Sequence, residues 1–174
     1  MIRVAFLFDP TNCWIAQHLP KYIGDSTKFE FHEIYDERKV RDFDIVFVLG
    51  YTKILKGEIL QSNNLLLVVH ESDLPRGRGF SPMQWQVLEG VKNITVCLLE
   101  VSDEVDTGDI YDKMILSLDG SELYRELRSK QAEVTFQLIK RFLSNYPNYN
   151  VLQQVGEPTF YRRRSPYASK LNAD

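Results

Sequence analysis

Cysteine is almost absent: Cys13 and Cys97 are the only two in 174 residues, too far apart for a Cys-x-x-Cys redox or zinc motif. That excludes a disulfide framework and makes a reducing cytoplasm the expected compartment. No apolar run approaches the roughly 20 residues of a membrane helix, and Asp9-Pro10 cuts the apolar start at Met1 short of a signal sequence. A soluble protein with no membrane partner is expected. Neither sign of charge dominates: 21 Lys and Arg meet 24 Asp and Glu, for a net charge of −3. This argues against nucleic acid as the main partner. Repeats and low-complexity segments are missing as well. With 44% hydrophobic and 26% charged residues, the chain has the composition and length of one globular domain.

Glycine is missing where nucleotide chemistry would need it. The first apolar run leads into Asp9-Pro10-Thr11-Asn12, which supplies neither a dinucleotide fingerprint nor a phosphate loop. His70-Glu71-Ser72 carries its glutamate one position too early for a deaminase His-x-Glu motif, and no Cys-x-x-Cys follows. The acidic stretch from Asp103 to Asp109 has Val105 at a ligand position and lacks the distal glutamate of a calcium loop. No metal is therefore expected. Ser72 sits outside any Gly-x-Ser-x-Gly elbow, which argues against a serine hydrolase.

What is present is an alternation of apolar runs and helical patterns. Ile2 to Phe8, Asp44 to Gly50 and Leu65 to Val69 read as buried strands, Phe29 to Tyr35 as a half-exposed outer strand, and Ile94 to Val101 and Asp109 to Leu118 as two later strands. Helices are predicted over Cys13 to Ile23, Ile54 to Leu60, Ser81 to Leu88 or Glu89, and Ser121 to Leu143. In the last of these, Leu127, Val134, Leu138 and Phe142 recur at helical spacing. Ser81-Pro82-Met83-Gln84 reads as a capping box, and Cys13 and Cys97, in apolar contexts, read as core residues. The expected fold is α/β: a Rossmann-like, mostly parallel sheet with helices on both faces and a short irregular C-terminal tail. Residues 1–145 are expected to form a catalytic core, and 146–174 an extension for acceptor binding or a dimer contact.

In such sheets ligands bind beyond the carboxyl ends of the strands, which singles out His70 and the loop from Asp103 to Asp109. His70 reads either as a structural histidine bonded at a strand end or as an acid–base group. In the second case Asp106 would hold one ring nitrogen while the other faces substrate.

The segment His70-Glu71-Ser72-Asp73-Leu74-Pro75-Arg76-Gly77-Arg78-Gly79-Phe80-Ser81-Pro82, with Trp85 and Gly90, resembles the His-x-Ser-x-Leu-Pro loop and following helix of the formyltransferases that use 10-formyltetrahydrofolate. Val105-Asp106-Thr107-Gly108-Asp109-Ile110 is similar to that family's Asp-Thr-Gly-Asp-Ile loop, and Gly50-Tyr51 with Ile54-Leu55 to its folate-side segment. The matches cover roughly residues 44 to 118. The resemblance implies that His70 polarises the formyl oxygen while Asp106 orients it and helps remove the proton of the attacking amine. It implies folate contacts at Tyr51, Leu74, Pro75, Trp85, Asp103 and Val105. Acceptor contacts are implied at Arg76, Gly77, Arg78, Gly79 and Gln84. The family's catalytic asparagine is replaced by Val68, with Gln84 as the first candidate substitute donor.

The chain ends too soon for the basic C-terminal domain of the transfer-RNA enzymes and lacks the phosphate loop of the purine enzymes. The resemblance therefore points to the sugar N-formyltransferase branch, and within it the chain looks most like the nonulosonic (pseudaminic-acid) type acting in surface glycan synthesis. Its acceptor would be a small amino sugar, anionic or nucleotide-linked, and its expected assembly a homodimer. Arg162-Arg163-Arg164 suits such an anion by bidentate guanidinium contacts, or is simply a solvated charge run. The opposing reading is a catalytically silent folate- or sugar-binding domain that has lost the asparagine.

Overall fold

The computed structural model describes residues 1–165 and Tyr167; the remainder of the expected 146–174 extension lies outside the described residues. Six strands form one sheet in the order β2-β1-β3-β4-β6-β7. They are β1 (Ile2–Phe8), β2 (Phe29–Ile34), β3 (Ile45–Leu49), β4 (Leu66–His70), β6 (Asn93–Glu100) and β7 (Ile110–Ser117). β1 to β4 run parallel, and β6 and β7 join antiparallel. The mostly parallel α/β fold expected from the alternating pattern is the one observed. β3 is buried at every position, which is why its sequence is an unbroken apolar run. β2, at the edge, keeps Glu30 and Glu33 exposed.

One face of the sheet packs against α4 (Tyr124–Asn145) and α1 (Leu19–Tyr22) through Phe6, Phe47, Phe136 and Phe142. The other is covered by Val40, Phe43 and Leu55, with the short α2 (Glu58–Gln61) beside them. α3 (Pro82–Leu88) closes a third apolar cluster through Met83.

Four local expectations are corrected. The helix over Cys13 to Ile23 shrinks to one 3₁₀ turn, Ala16–His18, and α1. Asp9 captures the Thr11 amide and hydroxyl (2.8 and 2.6 Å), turning the chain before a helix can start. The following loop places Cys13 at the surface, while Cys97 is buried as expected. Ser81 does not cap α3. It adopts a left-handed conformation (φ 53°) with no side-chain cap bond, because the backbone before it is paired elsewhere. That pairing is the fourth correction: the tail contributes β8 (Phe160–Tyr161), parallel to β5 (Arg78–Gly79).

Candidate active site

The sheet reverses its winding at β1, with β2 on one side and β3 on the other, and the loops beyond the carboxyl ends of these strands meet there. Asp9, 1% exposed, ties them together. It accepts the Thr11 bonds on one oxygen and the Thr52 amide (3.0 Å) and hydroxyl on the other. Burial pushes its carboxyl up, but the four bonds from Thr11 and Thr52 outweigh burial and hold it down at about 2. Asn12 adds a bond to the Gly50 carbonyl at 2.9 Å.

His70 ends β4 on the same edge, 5% exposed. Its Nδ1 lies 3.6 Å from Asp106 Oδ2, so the two residues singled out in sequence do meet. Nε2 is not left to a substrate: it lies 2.8 Å from the Gly77 carbonyl oxygen. A carbonyl only accepts, so Nε2 carries a proton and Nδ1 is the nitrogen turned toward Asp106. Asp106 itself has φ 57°, and its carboxylate accepts the Gly79 amide at 2.8 Å.

Of these groups, Asn12, Gly50, Thr52, His70, Gly79 and Asp106 border a cavity of about 470 Å³. Its floor is Val48, Leu49, Val68 and Val69 at the strand ends. Tyr51, Val105, Gly79 and Gln84 are on its wall, as are Lys53, Arg163 and Arg164. Tyr51 donates its hydroxyl to Glu37; burial and that acceptor push its pKa above the usual phenol range. The Gln84 side chain makes no hydrogen bond among the described residues and stands half-buried on the wall.

Other expected site residues lie elsewhere. Leu74 packs with Cys97, Leu99 and Ile110, and Pro75 and Asp103 are also off this cavity; Asp103 borders a groove beside Thr107 and Gly108. Arg76 pairs with Asp73 at 2.9 Å on the surface. Gly77 faces His70 from outside the cavity lining, and Arg78 bonds Gln154. Of the three arginines, Arg162 and Arg164 share the Trp85 ring, Arg164 at 5.9 Å from its centroid, and Arg163 turns to another ring. Arg162 lies over Trp85, 5.6 Å from the ring centroid, and Trp85 Nε1 donates to its carbonyl. Arg163 stacks on Phe80 (4.3 Å) and donates to the Thr52 carbonyl. Trp85 itself stacks against Tyr161, outside the cavity.

Residues 16–143 match the formyl transferase family model. The chain belongs to the formyltransferase family. It is 33% identical over 133 residues to the methionyl-tRNA formyltransferase of Rickettsia prowazekii (strain Madrid E), an alignment covering 75% of this chain and 44% of that protein. The chain thus spans less than half the length of that relative. Its structure superposes on a methionyl-tRNA formyltransferase from Clostridium thermocellum with a TM-score of 0.83 (24% identity; 100% of this chain, 78% of that one). On a sugar N-formyltransferase from Shewanella sp FDAARGOS_354 the score is 0.72 (15% identity; 100% and 82%). On HypX from Aquifex aeolicus, in complex with tetrahydrofolic acid, it is 0.67 (18% identity; 94% and 30%).

In this member of the family the sequence reading missed one whole wall of the cavity. Arg128, Gln131 and Thr135 of α4 line it. Gln131 and Thr135 are buried, Arg128 donates to Gln131 at 2.8 Å, and Gln131 reaches Glu71 beside His70. The signal was available: these polar residues recur at helical spacing on the same helix as the apolar face. Among the described residues no cluster of three His, Cys, Asp or Glu side chains is placed to hold a metal ion.

Proposed function

We propose that this formyltransferase moves a formyl group from 10-formyltetrahydrofolate to the primary amine of an amino sugar bearing a phosphate or carboxylate. The observation that carries the reading is the meeting of His70 and Asp106 at the rim of a cavity also bordered by Lys53, Arg163 and Arg164. A cavity of this volume with an apolar floor suits a flat heteroaromatic donor, and the cations suit an anionic acceptor. A sugar N-formyltransferase shares this fold over the whole chain, as a methionyl-tRNA formyltransferase also does, so the acceptor class rests on the cations and not on the fold.

The residues divide the work as follows. Gly77 fixes the Nε2–H of His70, so in the protonated ring Nδ1–H is the donor available to the formyl oxygen as negative charge gathers there. Asp106 balances the imidazolium and accepts the proton that the amine loses on attack. The nitrogen of the folate leaves with a proton from the same pair. Gln84, on the same wall and with its side chain unbonded to protein among the described residues, supplies a second donor where Val68 offers none.

Incubation with 10-formyltetrahydrofolate and a panel of anionic amino sugars is expected to release tetrahydrofolate and yield an N-formyl sugar. His70→Ala and Asp106→Ala are each expected to slow this by about 10²–10⁴-fold. Unchanged turnover in both variants sinks the site assignment. The curated relatives named for methionyl-tRNA make charged initiator tRNA the necessary comparison; formylation of it in preference to every sugar overturns the acceptor.

Val68 favours a second reading, a binding domain without turnover, because an apolar side chain stands on the cavity floor where the family has an amide. Calorimetric binding of a folate analogue with no formyl transfer to any acceptor supports it, and Val68→Asn then becomes the variant expected to gain activity.

A further inference from the structure

Gln154 lies on the tail between Leu152, which bridges to Ile110 of β7, and β8. Both ends of its amide are committed. The nitrogen donates to the carbonyl of Asp106 at 2.9 Å and to that of Gly108 at 2.8 Å. The oxygen accepts from Arg78 Nη2 at 2.7 Å and Nε at 3.3 Å. Arg78 is flanked by Gly77, whose carbonyl holds His70 Nε2, and by Gly79, whose amide bonds the Asp106 carboxylate. One half-buried glutamine therefore joins the two loops that approach the imidazole from its opposite nitrogens.

Asp106 needs such support. At φ 57° it occupies a left-handed conformation that a residue with a Cβ adopts only at a cost, and that persists where the surroundings over-determine it. Ser102, Glu104 and Thr107 close the neighbouring turn on itself. Among the described residues, the hydrogen bonds to Asp106 come from Gly79 and Gln154. Arg78, a basic residue of the loop that the sequence suggested for substrate, is spent on this link and is not on the cavity wall.

We propose that Gln154 is a positioning residue: it holds Asp106 in its left-handed conformation against His70 and, through Arg78, couples that loop to the Gly77 carbonyl on the other side of the ring. The kinetic half of the test rests on the formyl-transfer reading; the spectroscopic half does not. Gln154→Leu removes both ends of the link, Gln154→Glu keeps the acceptor for Arg78 but loses the donor, and Arg78→Met removes the partner while leaving both carbonyl bonds.

Imidazole ¹⁵N spectra of the full chain are expected to show the His70 nitrogens moved in Gln154→Leu and Gln154→Glu, and less so in Arg78→Met. The kcat for formyl transfer is expected to fall about 10²-fold in the first two variants, while the KM for the folate stays within about threefold. Because Gln154 acts through Asp106, Gln154→Leu combined with Asp106→Asn is expected to be no slower than Asp106→Asn alone. Folded Gln154→Leu with unmoved His70 nitrogens overturns the proposal, as do losses that multiply in the double variant. Should Gln154→Leu not fold, the same readings on Gln154→Glu decide. A wild-type protein that transfers no formyl group refutes the functional reading, and the His70 spectra still decide the positioning role.

Discussion

Asp9 is the residue whose ionisation the fold exploits most directly. Its carboxyl is depressed from 3.8 to about 2, so the stability it lends is fully present above pH 3.8 and is lost as pH falls toward 2. Linkage makes that contribution about 2 kcal/mol at neutral pH. Thermal melts of the wild type are expected to drop across this acid window, and Asp9→Asn, already weakened at neutral pH, to lack that component. A parallel acid fall in both proteins refutes the assignment. His70 is the opposite case: sequence foresaw its meeting with Asp106, but the bond to Gly77 depends on how the loop after β4 folds back. No spacing rule predicts which backbone carbonyl meets a ring nitrogen.

The most consequential element is the shortest. β5 and β8 are two residues each, yet their pairing strings Arg78, Phe80 and Trp85 onto the tail through bonds to Thr159, Tyr161 and Arg162. Gly79 makes it possible. A Cβ there would lie 2.4 Å from the Tyr161 carbonyl oxygen, at φ +99°, a clash with backbone that no side-chain rotation relieves. Gly79→Ala is expected to detach β8 and destabilise the protein by about 1–3 kcal/mol, seen as lost amide protection at Arg78 and Phe80 in hydrogen exchange. Retained protection counts against it. Long elements were legible from periodicity: β1, β3, β4 and α4 appear within a few residues of their expected bounds. The helix over 13–23 and the Ser81 cap were not, because Asp9 and β8, distant or local competitors for the same backbone, redirect the chain.

At the scale of the whole molecule, α4 is the common support. Its Phe136 and Phe142 enter the large apolar cluster under β1 and β3, its Leu138 and Val134 the cluster under α3, and its Gln131 and Thr135 the cavity wall. Phe136 is fully buried and stacks on Tyr22 at 5.2 Å. Phe136→Ala is expected to cost about 3–5 kcal/mol, with one urea transition of unchanged slope; two separated transitions would mean that α4 does not unite the clusters. The sequence by itself determined the α/β class, the buried strands, the His70 and Asp106 positions and the family, since each rests on local periodicity or a contiguous motif. Only the tertiary structure decided that Arg78 faces Gln154, that Trp85 and Arg162 lie off the cavity, and that α4 supplies a wall of it. Those outcomes hang on contacts between residues tens of positions apart, where packing and hydrogen-bond satisfaction choose among partners that a linear reading leaves equivalent.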